Sequence, residues 1–409
     1  MAEKIPYWGQ HPFFGYFVRR EGAEGCEICP DARVMLSMER KPPTLRDQAP
    51  PPRERKPPKT IRQIREERDE RLFAVLNAPW KVMDAIREVK AWARSPTLPV
   101  PVPVKVVEVA ASKWMADTFR FDLQDIPTTI RLLGMGKAAK MFDKWFAGDL
   151  NYSPTENDSR LEINQKGEPY PPRMIDKDSI TYDWVFGFDR AAASHAILIN
   201  ERIYSDAAVR VLRAKLKEHA HRSLLNTITL CGEDIQMLHK NFQFQYAPVE
   251  GTLAQKYEQY SRQNLLNLGI PDELTLILGS FNVYAAISRV VFTKENGKSI
   301  ATITHIYVYV RDGFTFTDAA SSASQYLGHW GRKGIAIVLA KMASSYVGKI
   351  DWLDYPVIAS AGRGVGVFYP VKNSDFRRWQ LENNQGGDYM IYSNKKSIFL
   401  TKPIVVVLS

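Results

Sequence analysis

The sequence predicts an α+β fold, with a helical N-terminal half followed by a mainly antiparallel, sheet-rich C-terminal domain. Apolar residues at helical spacing, such as Ala138, Met141, Phe142 and Trp145, are concentrated before about residue 270. Beyond that point the runs are short and rich in β-branched and aromatic residues, as in Asn282 to Thr293 and Ser299 to Val310. Between those two runs, Glu295-Asn296-Gly297-Lys298 supplies an Asn-Gly hairpin turn and so fixes antiparallel pairing.

Four segments follow one another along the chain. Residues 1–59 form a proline-rich basic leader. Arg40-Lys41-Pro42-Pro43, Pro50-Pro51-Pro52 and Lys56-Pro57-Pro58-Lys59 favour extended polyproline conformation and sustain neither a helix nor a central strand. Residues 60–120 hold a charged helix over about 60–72, where Glu67 and Arg71 stand at i,i+4, and a second helix over about 80–93. Pro96, Pro99, Pro101 and Pro103 then impose an extended connector.

Residues 121–270 form a helical domain. Asp125 caps a helix whose first turn holds Pro127 and which stops near Gly134-Met135-Gly136. The next helix runs from Lys137 to Phe146, with Lys137, Lys140 and Lys144 on the side away from its apolar stripe. Further helices cover about 206–222, where Ala208, Leu212 and Leu216 recur at i,i+4, and about 252–268. Residues 271–409 form a sheet-rich α+β domain. Its predicted strands are Leu274–Leu278, the two hairpin arms, Val365–Tyr369, Tyr389–Tyr392, Ser397–Leu400 and Ile404–Leu408, with a helix over Gly334–Tyr346.

The chain has 409 residues and is 45% hydrophobic and 24% charged, a composition that belongs to folded proteins with a sizeable core. Its formal net charge of +10 attracts polyanions in general, but much of the excess lies between Arg40 and Arg71, where prolines are dense and a solvated tail or linker accounts for it. Three cysteines, Cys26, Cys29 and Cys231, are too few and odd in number for a disulfide framework. The first residues lack the apolar core of a signal peptide, and no run of about 18 apolar residues exists to span a membrane. The expectation is a protein made in a reducing cytoplasm and exported without a signal peptide.

Several motifs read more plainly as structure than as chemistry. Cys26-Glu27-Ile28-Cys29 is half a zinc site without its other half. His219-Ala220-His221 at i,i+2 puts its rings on different helix faces, unlike a metalloprotease pair, and suits a helix C-terminus. Gly362-Arg363-Gly364-Val365-Gly366 misplaces the third glycine of a dinucleotide fingerprint. No serine-hydrolase elbow, Walker loop, metalloprotease helix or zinc-deaminase signature appears.

The polar group after the 302–310 strand remains. Asp312, Asp318, His329 and Arg332 combine carboxylates, an imidazole and a guanidinium, which together can hold a divalent cation, transfer a proton and neutralise a phosphoryl oxygen. Arg363 and Arg377 are candidate substrate-binding cations. The structural alternative is a loop of hydrogen-bonded caps.

Two resemblances bear on function. Asp125-Ile126-Pro127, the Ile130–Phe146 stretch, Gln325-Tyr326-Leu327-Gly328-His329-Trp330, Asn373–Arg377 and Gly386-Gly387-Asp388 resemble an uncharacterised bacterial domain family often encoded beside type VI secretion genes, over about residues 120–409. Asp312-Gly313-Phe314-Thr315-Phe316 is similar to the Asp-x-Tyr-Asp-Phe segment of colicin M-like bacteriocins, with Phe314 in place of the tyrosine and Thr315 in place of the second aspartate. Together they imply a secreted antibacterial effector, a phosphodiesterase acting on the lipid-linked peptidoglycan precursor at its pyrophosphate. On that reading Asp312 and Asp318 hold Mg2+, His329 serves as acid or base and Arg332 steadies phosphoryl charge. The implied partners are a cognate immunity protein and the secretion apparatus or an adaptor, reached through residues 1–60, and the site of action is the target-cell envelope. The alternatives are a non-enzymatic adaptor or structural component of the apparatus, and a nucleic-acid-binding protein or nuclease. Nucleic acid is the disfavoured partner, because a solvated lysine face on the 137–146 helix is the commoner meaning of its spacing.

Overall fold

The computed structural model of the protein describes residues 7–10, 17–20, 36–46, 121–249, 271–318, 324–336, 357–360 and 365–408. The predicted helices at 60–72, 80–93 and 252–268, the proline connector, Cys26, Cys29 and Arg363 lie outside the described residues. So does all of the predicted 334–346 helix after Ala336.

In chain order the elements open with β1 (Tyr7–Gln10) and β2 (Phe17–Arg20), then α1 (Ile126–Leu132), α2 (Gly136–Phe146) and α3 (Glu156–Leu161). Next come β3 (Ile175–Asp176), α4 (Tyr182–Val185), α5 (Asp189–Asn200), α6 (Asp206–Leu216), β4 (Leu224–Asn226), α7 (Thr227–Cys231), α8 (Ile235–Phe242), β5 (Gln243–Val249) and α9 (Glu273–Leu278). The long hairpin β6 (Phe281–Glu295) and β7 (Lys298–Phe314) follows, then β8 (Tyr326–Gly331), β9 (Gly334–Ala336), β10 (Val357–Ser360) and β11 (Val365–Lys372). α10 (Asn373–Asn383), β12 (Tyr389–Tyr392) and β13 (Lys396–Val407) complete the order. Helices dominate the earlier part of the ordered region and a curled, mainly antiparallel sheet the later part, so the class is α+β.

Two segments depart from the sequence reading. Leu274–Leu278, expected as a strand, is the helix α9: the Asp272 side chain accepts from the Thr275 amide at 2.9 Å, and Gly279 ends the helix at φ 54°. The residues of Gly334–Ala336, expected to start a helix, pair instead with β8 as a strand.

Two compact units interleave along the sequence. The first is Met1–Asp149, Arg262–Pro271 and Ser321–Gly386; the second is Leu150–Ser261, Asp272–Ala320 and Gly387–Ser409. In the first, a six-stranded sheet has the order β2-β1-β10-β11-β8-β9, antiparallel except for the β1–β10 pair. Helix α2 buries Ala138, Ala139, Met141, Phe142, Trp145 and Phe146, the 3.6-residue stripe legible in its sequence. The aromatic members of that stripe pack edge-on or tilted against Phe376 and Trp379 of α10.

The second unit is built on β6 and β7. Asn296 and Gly297 both take positive φ, 50° and 76°, as a two-residue hairpin that matches strand twist requires. Along one edge of β7 lie β12, opposite Arg311–Phe314, and β13, opposite Ile300–Val308. Along the far edge of β6 lie β5 and β4. Helices α5, α7 and α8 pack on β6, α6 on β13, and α9 on β7.

Candidate functional site

A cluster of buried ionisable groups lies where β7 meets α8. Arg311 continues the face of β7 that carries Tyr307 and Tyr309, so its guanidinium enters the sheet's interior and is only 7% exposed. A charge so placed needs a carboxylate and a full set of acceptors. Glu162 supplies the carboxylate from the residue that caps α3, in the left-handed region at φ 59°. Its Oε1 accepts from Arg311 Nη2 at 2.9 Å, from Nε at 3.2 Å and from the Tyr392 hydroxyl at 2.6 Å. Arg311 also donates to the Arg160 carbonyl at 2.7 Å and to Tyr392 Oη at 3.0 Å. A non-glycine residue in that region costs about 1–2 kcal/mol; the three bonds to the carboxylate offset it.

His239 of α8 closes the group from above. Its Nδ1 lies 2.8 Å from the Tyr309 hydroxyl, and its ring meets Tyr284, Tyr309 and Tyr392 edge-on. Burial, then the nearby charges of Arg311 and Lys215, push its pKa down to about 3, so the imidazole is neutral throughout the physiological range. Burial also raises the hydroxyls of Tyr309 and Tyr392. Burial acts to lower Arg311, but Tyr392 and Glu162 outweigh it and raise the guanidinium above its ordinary value, which holds it charged.

Asp312 follows Arg311 and therefore points to the other face of β7, with Ile391 as its cross-strand neighbour. Burial pushes its carboxyl up to about 8, against the opposing effects of the Gly313 amide and Arg311. At neutral pH Asp312 keeps a proton that an ordinary aspartate has lost, the condition for a carboxylic acid to donate one. The folded protein holds this proton while the unfolded chain releases it above about pH 4. The stability it contributes is therefore complete below about pH 4 and lost as pH rises to about 8. We expect urea midpoints of the wild type to fall between pH 5 and pH 8 by more than those of Asp312→Asn. Parallel pH profiles for the two proteins would show that Asp312 titrates normally.

The remaining predicted residues are distributed as follows. Asp318 lies in the second unit with Asp312, beyond the end of β7, and is half-buried. His329, Arg332 and Arg377 belong to the first unit. His329 on β8 is fully buried, with Nδ1 hydrogen-bonded to the Tyr326 hydroxyl. Arg332 is exposed in the β8–β9 turn, and Arg377 on α10 donates to Gln380 Oε1 at 2.6 Å. Among the described residues no group of three or more His, Cys, Asp or Glu side chains converges as a metal site. A cation bound at Asp312 would first have to displace the proton held there.

Glu162, His239, Tyr284, Tyr309 and Tyr392 were missed by the sequence reading. The available signal was Arg311 itself, an arginine at an inward-facing position of an apolar strand. It demanded a buried acid without saying which of the chain's acids that was.

A model of a family of unknown function, DUF6402, matches residues 121–408. The chain belongs to this family. The match covers both helices of the first unit's core, the whole β6–β7 hairpin and the Arg311 cluster. No curated protein and no solved structure matches the chain.

Proposed function

We propose that this DUF6402 protein is a secreted antibacterial effector whose Asp312 acts as a proton donor on a phosphate-bearing envelope substrate. What supports the reading is the placement of the Asp312 carboxyl, half-buried at the end of β7, where burial pushes its pKa up to about 8. In cleavage of a lipid-linked pyrophosphate by water, the bond from phosphorus to the leaving oxygen breaks. The acid then delivers its proton to that oxygen, a contribution of about 10²- to 10⁴-fold. Arg311 is given no part in holding substrate, because its Nε and Nη2 are already engaged by Glu162, Tyr392 and the Arg160 carbonyl. The phosphoryl-clamp role proposed for the exposed Arg332 is tested by alanine at that position, and the acid-or-base role of His329 requires its enclosed ring to open to solvent. Magnesium held through Asp312 and Asp318 is the competing version of the site, since a carboxylate that binds a cation has already lost its proton. Recruitment to a secretion apparatus through residues 1–60, and neutralisation by an immunity protein, complete the proposal.

Expression in the periplasm and, separately, in the cytoplasm of a susceptible bacterium tests it. Growth arrest is expected only from the periplasm, and Asp312→Asn, which keeps the shape of the acid but not its proton, is expected to abolish it. Harmlessness in both compartments would remove the effector reading. Undiminished killing by the Asn variant would remove Asp312 from the chemistry.

The non-enzymatic adaptor is favoured by a different observation: the Arg311–Glu162–Tyr392 cluster of the second unit is built from bonds among its own members. It predicts that residues 1–60 are required to retain the secretion apparatus, and that Asp312→Asn leaves that capture unchanged.

A further inference from the structure

The face of β7 that carries Tyr307, Tyr309 and Arg311 is covered at one end and open at the other. Cover ends near Tyr307, where Lys395 lies 5.7 Å from the ring centroid and pairs with Glu233 of the α7–α8 connection at 2.7 Å. Toward the hairpin tip the same face continues across four strands. Register places Leu224 of β4 opposite Val291 of β6, Val291 opposite Thr302 of β7, and Thr302 opposite Val405 of β13. Such cross-strand neighbours share one face of the sheet. Phe399, opposite His305, and Val407, opposite Ile300, flank that row on β13.

These side chains are in solvent among the described residues: Phe399 is 63% exposed, Val405 58%, Leu224 52%, Val407 39% and Val291 38%. Their neighbours of opposite parity, Leu225, Val290, Phe292, Ala301, Ile303, Ile404 and Val406, form the buried core. An antiparallel sheet with one face on a core and one in water normally places polar residues on the wet side. Single exposed apolar residues need no explanation, but a contiguous row across four strands marks an interaction surface.

The charges on this face choose the partner. Arg289 stands in the row formed by Asn226, itself and His305, and is exposed. Lys298 faces Glu295 across the hairpin tip, and Arg222 is exposed two residues before Leu224. An apolar centre with an aromatic residue, bordered by arginines in excess over acids, is the composition of a protein-binding hot spot. A second copy fits poorly, because a two-fold contact sets the same arginine-rich border on both sides of the seam and adds no acids to match it. Strand addition at β13 is blocked as well: Pro403 has no amide hydrogen to donate, and the register shifts between Phe399 and Ile404.

We propose that the open face formed by β4, β6, β7 and β13 is a docking surface for an acidic protein, which places apolar side chains on Val291, Phe399 and Val405 and carboxylates on Arg289 and Arg222.

The test uses the full chain and a phage-displayed library of random 12-residue peptides. Selection on the wild type is expected to enrich peptides that combine Asp or Glu with aromatic or branched aliphatic residues. The best of them, synthesised, should lose at least tenfold in affinity on Val405→Glu and on Arg289→Glu. Substituting lysine for the peptide's acids should recover binding to Arg289→Glu. Both substitutions are at exposed positions, and an unchanged circular dichroism spectrum and melting temperature accompany the expected result. Enrichment without acidic residues, or peptides that bind both variants as well as the wild type, overturns the proposal. So does a wild-type dimer in light scattering that Val405→Glu converts to a monomer, since the face is then filled by a second copy.

Discussion

Glu162→Gln is expected to destabilise the protein by about 3–5 kcal/mol, the cost of leaving one member of a buried ion pair without its partner. The geometry sets the size. Arg311 is 7% exposed, and one oxygen of Glu162 accepts from two of its nitrogens and from the Tyr392 hydroxyl. Glutamine preserves the volume and one acceptor oxygen but removes the charge, so the guanidinium keeps its full desolvation penalty. Little water reaches the carboxylate, whose side chain is 12% exposed and whose oxygens are engaged by Arg311, Tyr392 and Gln236. The pair as a whole is a different quantity: a well-packed apolar replacement of both partners is often close to neutral. Glu162→Gln/Arg311→Met is therefore expected to recover most of what the single variant loses. Urea unfolding followed by circular dichroism gives both numbers. A single-variant loss below about 1 kcal/mol, the range of exposed pairs, would show that solvent reaches the carboxylate.

The sheet's central hairpin was legible because its signals are local. Asn296-Gly297 demands two positive φ angles in succession, and the alternation on either side fixes which face is buried. Helices α1 and α2 were legible for the same reason, from Pro127 in a first turn and from the stripe that ends at Trp145. Leu274–Leu278 misled because five apolar or β-branched residues fit a buried strand and a short helix equally well by periodicity. The caps decide the matter, Asp272 before the run and Gly279 after it. Ser397–Leu400 and Ile404–Leu408 read as separate strands because Pro403 stands between them, yet both pair with β7 on either side of one irregularity.

The candidate site divides along the same line. Asp312 could be chosen from sequence, since a carboxylate after an alternating strand stands out. Its raised pKa could not, because that depends on what packs against β7. Glu162 is 149 residues from Arg311, and no periodicity or turn chemistry links them. His329 looked available within a polar stretch, but β9 and β11 pair on both sides of β8, and its ring is enclosed. Interleaving of the two units is hidden for a related reason: sequence composition shifts mark stretches of chain, whereas each unit draws on several stretches far apart.

Trp145→Ala should be the most damaging substitution in the first unit, with a loss of about 3–5 kcal/mol. Trp145 is fully buried on α2 and meets Phe146 and Phe376 edge-on, with ring centroids 5.1 and 5.2 Å away, and Trp379 at 5.7 Å. Its removal strips two of the ring contacts that join α2 to α10 and leaves those of Phe142 and Phe146. The space is bounded on another side by Gly386, at φ 96°, where an added Cβ would lie 3.1 Å from each of the Trp145 and Trp379 rings. Backbone thus approaches the indole as closely as it can, and Gln380 holds it there by donating to the Gly386 carbonyl at 2.9 Å. A wall fixed by a hydrogen bond and rings already in mutual contact has little freedom to collapse, which favours a persistent cavity over repacking. Two further measurements separate those outcomes. Trp145→Phe keeps most of the volume and is expected to lose clearly less than the alanine variant. Free indole should raise the melting temperature of Trp145→Ala in proportion to ligand binding and leave the wild type unchanged. An alanine variant with wild-type stability and no response to indole would mean that α2 and α10 close over the vacated space, held by the remaining Phe142 and Phe146 contacts.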